Sequence, residues 1–145
     1  MRSLAIVLSV TSAALLTGCP SQEMLCKSGV DQVCEREYEC QPQQVKDSSQ
    51  FQAAFGTSLQ NCKDSLYANP LKPAGAQGIA CASITTDTQL CTNLGVPTAT
   101  TFDLTNAMKC KDERAKLECS AFLAQVNPSG PGGQPPPAIC NQRCK

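Results

Sequence analysis

The sequence predicts a mainly α fold: a small disulfide-stapled helical domain with an irregular middle and a proline-rich loop. Three observations predict it. Apolar residues recur at helical spacing in several stretches, each bounded by capping or stop residues. Eleven cysteines are spread along 145 residues. Aromatic residues are few, with no Trp, four Phe and two Tyr, so side-chain burial alone makes a thin core. Crosslinks that each contribute about 2–4 kcal/mol by restricting the unfolded chain supply what burial does not.

The amino-terminal segment stands apart from the domain. Met1 and Arg2 give a positive start, residues 4–16 an apolar run, and small residues follow. This grading marks residues 1–18 as a secretory signal peptide. The run is shorter than the roughly 20 residues that a membrane-spanning helix needs. It ends in Leu16-Thr17-Gly18-Cys19, which resembles the lipobox of bacterial lipoproteins. The resemblance implies that the chain is cut before Cys19 and that Cys19 is the lipidation site. Two or three acyl chains, at about 0.8 kcal/mol per buried methylene, hold a protein on a bilayer durably. The expected partner is therefore the membrane, reached through the lipid on Cys19, with residues 19–25 as lipidated terminus and short tether and residues 26–145 as the cysteine-rich helical domain. Pro20 follows the cysteine where an Asp would signal retention in the inner membrane. The expected location is the bacterial cell envelope, extracytoplasmic, with the outer membrane favoured over the inner.

Removing Arg2 with the signal leaves 11 Lys and Arg against 12 Asp and Glu. A chain this close to neutral has no basic footprint, so nucleic acid is not an expected partner. Setting aside Cys19 leaves ten cysteines: Cys26, Cys34, Cys40, Cys62, Cys81, Cys91, Cys110, Cys119, Cys140 and Cys144. An even, dispersed set in an exported chain is a disulfide framework of up to five bridges. Ten cysteines admit about 945 complete pairings, and spacing does not choose among them.

Taken in order, Val30, Val33, Cys34 and Tyr38 form a helical stripe over residues 30–40, which Gln41-Pro42 ends because a residue before proline is pushed out of helical geometry. Residues 43–48 read as a polar turn. Ser49 with Gln52 predicts a cap for a short helix carrying Phe51 and Phe55, which Gly56 stops. Thr57 with Gln60 predicts a second cap, and Leu59, Cys62 and Leu66 a helix face running to Asn69-Pro70. Residues 69–101 are rich in Pro, Gly, Ala and Thr and read as irregular, pinned by Cys81 and Cys91, with a short helix or a hairpin over residues 83–94. Asp103 predicts a cap for one long helix carrying Leu104, Met108, Ala115, Cys119, Phe122, Leu123 and Val126. On its exposed face, Lys109 with Glu113 and Asp112 with Lys116 stand four apart. Residues 127–137 form a proline-rich loop, which Cys140 and Cys144 return to the body.

Cys34-Glu35-Arg36-Glu37-Tyr38-Glu39-Cys40, Phe55-Gly56-Thr57-Ser58 before Cys62, and residues 101–144 together resemble small cysteine-rich lipoproteins of myxobacteria. That resemblance spans most of the mature chain and implies an address; it carries no biochemical role.

The absence of histidine removes Ser-His-Asp and Cys-His catalysis and the common zinc hydrolase sites. Glu35, Glu37 and Glu39 are expected to be surface charge on a polar helix. Cys140 and Cys144, with three residues between them, are expected to be structural staples, since redox sites use Cys-x-x-Cys. No catalytic residue, cofactor or metal site is assigned. The expected function is an envelope-anchored structural or binding component, not an enzyme, with an envelope protein as a possible partner. Two alternatives stand beside it: an envelope thiol-disulfide or other enzyme, and an inhibitor or ligand-binding module presenting the proline loop.

Overall fold

The computed structural model describes residues 19–70, 78–126 and 133–145. The expected signal peptide, residues 71–77 of the irregular middle and part of the expected proline-rich loop lie outside these. The described residues are mainly helical and contain no strand, as the sequence predicts.

The organising element is α1, Gln22–Cys40, a helix of 19 residues. Ser21 caps it by accepting the Met24 amide, and Glu23 lies in its first turn, where a negative charge meets the positive end of the helix dipole. The helix begins eight residues before the expected start, so residues 22–25 are its first turn rather than tether. Gly29 interrupts the apolar pattern there, and only with Cys26 counted as apolar does a continuous stripe emerge. That buried stripe is Cys26, Val30, Cys34 and Glu37, steps of four, four and three. The helix ends at Gln41, before Pro42, as expected.

Residues 43–46, expected as a turn, form a single helical turn, α2 (Gln43–Lys46). Next come α3 (Ser49–Phe55) and α4 (Leu59–Ala68), whose caps are each one residue from the expected positions. Ser48, not Ser49, accepts the Phe51 amide, and Ser58, not Thr57, accepts the Asn61 amide. The glutamines that suggested the earlier positions are engaged elsewhere, Gln52 donating to the Lys46 carbonyl and Gln60 to Asp64. Gly56 does stop α3, with φ 77° and ψ −175°, a conformation open essentially to glycine alone. A Cβ at this position would meet the Asn61 Cβ at 2.8 Å. Gly56→Ala is expected to lower unfolding free energy by about 1–3 kcal/mol in a denaturant titration; an unchanged midpoint would contradict this.

α4 lies along α1. Their docking is fixed by the Cys34–Cys62 bridge and by polar contacts on either side of it, Tyr67 donating to Asp31 and Lys63 to Glu35 at 2.7 Å. The Asp31 contact, with burial, pushes the Tyr67 hydroxyl up to about 12, so it remains a donor at any ordinary pH.

In the middle, Cys81–Ser83 forms a 3-10 turn, and the helix alternative over residues 83–94 is the one adopted, as α5 (Asp87–Asn93). Its cap is a reciprocal box: Thr86 accepts the Gln89 amide, and the Gln89 side chain accepts the Thr86 amide. Buried Asn93 holds Ile79 through both its amide and its carbonyl, at 2.8 and 2.7 Å.

The long helix expected from Asp103 to Val126 is two helices, α6 (Leu104–Ala115) and α7 (Cys119–Val126). Asp103 caps α6 as expected. The break at residues 116–118 has a cause across the fold: Arg36 of α1 donates to the Leu117 carbonyl, and the Cys40–Cys119 bridge draws the start of α7 to the end of α1. Leu104 and Met108, expected on the apolar stripe, are exposed, and Cys110 is the buried residue of α6. Lys109, Asp112, Glu113 and Lys116 are exposed as expected. The tail returns along residues 101–103, with Lys145 pairing to Thr101 and the Asp103 amide donating to the Arg143 carbonyl at 2.7 Å.

The core is built largely of sulfur. Of the 14 buried apolar residues among those described, seven are cysteines.

Candidate functional site

Each of the ten cysteines after Cys19 is paired. The bridges are Cys26–Cys81, Cys34–Cys62, Cys40–Cys119, Cys91–Cys144 and Cys110–Cys140, with Cα separations from 4.8 to 5.9 Å, inside the range that disulfides occupy. Cys19 is unpaired and exposed. Cys140 and Cys144 are staples as expected, but to different helices, α6 and α5. Five bridges form and persist in an oxidising compartment outside the cytoplasm. No helix among the described residues is long and apolar enough to cross a membrane.

The bridges sort the molecule into two groups. Three of them radiate from α1, to the 3-10 turn, to α4 and to α7; the other two tie the tail to α5 and α6. No bridge joins the groups. Between α1 and α6 the link is polar instead, with Gln32 donating to the Lys111 carbonyl and the Lys111 ammonium donating to Ser28, each at 2.7 Å.

The acidic trio of α1 does not converge. Glu35 pairs with Lys63 and Glu39 with Arg36, whereas Glu37 is 1% exposed and accepts from Gln41 at 3.2 Å. The expectation of surface charge therefore fails for Glu37, which falls on the buried stripe set by Cys26, Val30 and Cys34. Burial raises its carboxyl above the usual carboxylate range, and the Gln41 hydrogen bond offsets part of that. A carboxyl isolated from its neighbours in this way provides no acid–base pair.

The site with the most defined chemistry lies at the seam between the two bridge groups. A cavity of about 280 Å³ opens among α1, α4, α5 and α6 and the tail. Val30, Leu66, Leu90 and Met108 give it apolar walls, with the Cys26 and Cys110 bridges beside them. Its polar lining includes three cations, Lys111, Arg114 and Arg143, and no carboxylate. The Cys110–Cys140 bridge explains how the two arginines meet. Arg114 stands one helical turn after Cys110 and Arg143 three residues after Cys140, so joining the cysteines brings both guanidinium groups to one wall.

Their electrostatics are unusual for a chain of no net charge. Burial lowers both guanidinium groups from their usual range, and for Arg143 the positive charge of Arg114 adds to the effect. The Arg114 Nε is buried without a hydrogen-bond partner. The Arg143 Nε donates to the Cys140 carbonyl at 2.6 Å, which orients the group without neutralising it. Arg114 also lies over the Phe122 ring, 5.5 Å from its centroid, with Arg36 5.3 Å from the same ring.

Sequence reasoning did not single out Arg114 or Arg143. Arg114 sits in a charged stretch most of whose members are solvated, and Arg143 lies between two cysteines whose partners are remote in sequence. Only the Cys110–Cys140 pairing would have joined them.

Comparison with protein-family models, with curated proteins and with solved structures finds no match to this chain.

Proposed function

We propose that the chain is a bacterial envelope lipoprotein, held on the membrane by acyl groups on Cys19, whose stapled domain works as a structural or binding component and not as an enzyme. The outer membrane is its expected site, on the strength of Pro20 after the lipidated cysteine. The observation that carries the reading is the cysteine count resolved in space: ten cysteines close into bridges, and the one left over, exposed Cys19, is the residue at the end of the lipobox pattern. Only Pro20 and Ser21 separate the proposed anchor from α1, so a rigid body would be held close to the bilayer. A domain with its sulfurs locked in bridges, no histidine and isolated acids is suited to presenting surfaces or holding a ligand.

Metabolic labelling with an alkyne-bearing fatty acid tests the anchor. The wild-type chain is expected to take up the label and Cys19→Ser to lose it; a wild-type chain without label, or a variant that keeps it, would contradict the proposal. Alkylation of the folded protein tests the non-enzymatic reading against a thiol-disulfide role. No thiol among the ten cysteines is expected to react, and a reactive pair would move redox chemistry to the front.

A further inference from the structure

We propose that the cavity at the seam is a binding site for a small anionic amphiphile, a monocarboxylate with an apolar body of about seven to eight carbons. The proposal rests on the binding-component reading above and names the ligand class for it. Size sets the first limit. An apolar void of about 150 Å³ takes up benzene, so on that scale 280 Å³ holds about eleven non-hydrogen atoms. That number is met by a carboxylate carrying a medium alkyl chain or one substituted ring.

Charge sets the second limit. Buried charges in proteins are paired, because an unpaired one loses hydration that nothing replaces. All twelve Asp and Glu side chains lie among the described residues, so every carboxylate that could serve as counterion is accounted for. The ion pairs formed engage Glu23, Asp31, Glu35, Glu39 and Asp103, in each case with Lys27, Arg36, Lys63 or Lys145. None engages Arg114 or Arg143. The protein thus holds two half-buried guanidinium groups and the Lys111 ammonium on one cavity wall, with no acid of its own to neutralise them. The missing counterion fits a ligand.

Shape narrows the head group. A guanidinium presents parallel N–H donors that match the two oxygens of a carboxylate, and both Arg114 and Arg143 line the cavity. Other lining residues, Val30, Leu66 and Leu90, are apolar and suit the body rather than the head. Met108, at the exposed edge of the cavity, is a flexible side chain that adapts to ligands of different outline. The Cys26–Cys81 and Cys110–Cys140 bridges hold two of the walls before any ligand arrives, which reduces the ordering that binding requires.

Octanoate and octan-1-ol are the probes: one apolar body, with and without the negative head. Full-length protein from membranes, reconstituted in phosphatidylcholine nanodiscs, is titrated calorimetrically with each, against empty nanodiscs. Octanoate is expected to bind saturably at one per chain, and octanol about tenfold more weakly or worse. Arg143→Gln is expected to weaken octanoate about tenfold while leaving octanol unchanged. Arg114→Met should do the same, but it also removes a contact with Phe122, so Arg143→Gln and the wild-type acid-to-alcohol ratio carry the decision if that variant does not fold. Octanoate heat no greater than that of empty nanodiscs, or octanol binding as tightly as octanoate, overturns the inference and leaves the binding-component reading standing. Octanoate chemically altered after the titration would instead overturn the binding-component reading itself.

Discussion

Reducing all five bridges without denaturant is expected to unfold the domain, with most of its helical circular dichroism lost. The reason lies in what the core is made of. Among the described residues, seven of the fourteen buried apolar ones are cysteines, and the two largest fully buried side chains are Phe122 and Glu37. Phe122 contributes apolar burial; Glu37 is a carboxyl that burial disfavours in its charged form. Each bridge contributes about 2–4 kcal/mol, while small domains retain about 5–15 kcal/mol in total, so five of them together are comparable to the whole margin. The bridges also span long stretches, up to a sequence separation of 79 between Cys40 and Cys119, where restriction of the unfolded chain is greatest. A reduced and alkylated protein that kept its helical signal and a cooperative thermal transition would show that side-chain packing, not crosslinking, holds the fold.

Among single substitutions outside the cysteines, Phe122→Ala is expected to have the largest effect, lowering unfolding free energy by about 3–5 kcal/mol in a denaturant titration under oxidising conditions. Phe122 is 0% exposed, so its removal leaves a cavity as well as losing transfer free energy. It also leaves Arg36 and Arg114 without the aromatic ring over which both lie. Phe122→Leu should recover part of the loss by refilling the space but not the cation–ring contacts. Met24→Ala, at a side chain 62% exposed, is expected to change stability by no more than about 0.5 kcal/mol. Comparable effects at Phe122 and Met24 would refute the full burial of Phe122.

The helical class was legible because caps and stops are local: Gly56 after α3, Pro42 after α1 and Asp103 before α6 act where they stand in sequence. Features that depend on remote partners were not. Where two hydroxyl residues adjoin, as at Ser48-Ser49 and Thr57-Ser58, local pattern admits either as the cap, and the route of the incoming chain decides. The split between α6 and α7 follows from Arg36 and Cys40 on another helix. The start of α1 was hidden by Gly29 and became visible only through the burial of Cys26. Parity marked the ten cysteines as bridge-formers, yet which cysteine meets which is a property of the folded body. The cavity inherits that limit, since Arg114 and Arg143 become neighbours only through the Cys110–Cys140 bridge.

The lipid anchor, the non-redox reading and the seam cavity all rest on one arrangement of sulfur. Peptide mass spectrometry of the native protein, alkylated before any reduction and digested with the bridges intact, tests it directly. The expected result is alkylation at none of the ten cysteines and five linked peptide pairs, Cys26 with Cys81, Cys34 with Cys62, Cys40 with Cys119, Cys91 with Cys144 and Cys110 with Cys140. A pair linking Cys140 to Cys144, or a free thiol at any of these positions in the folded protein, would contradict it.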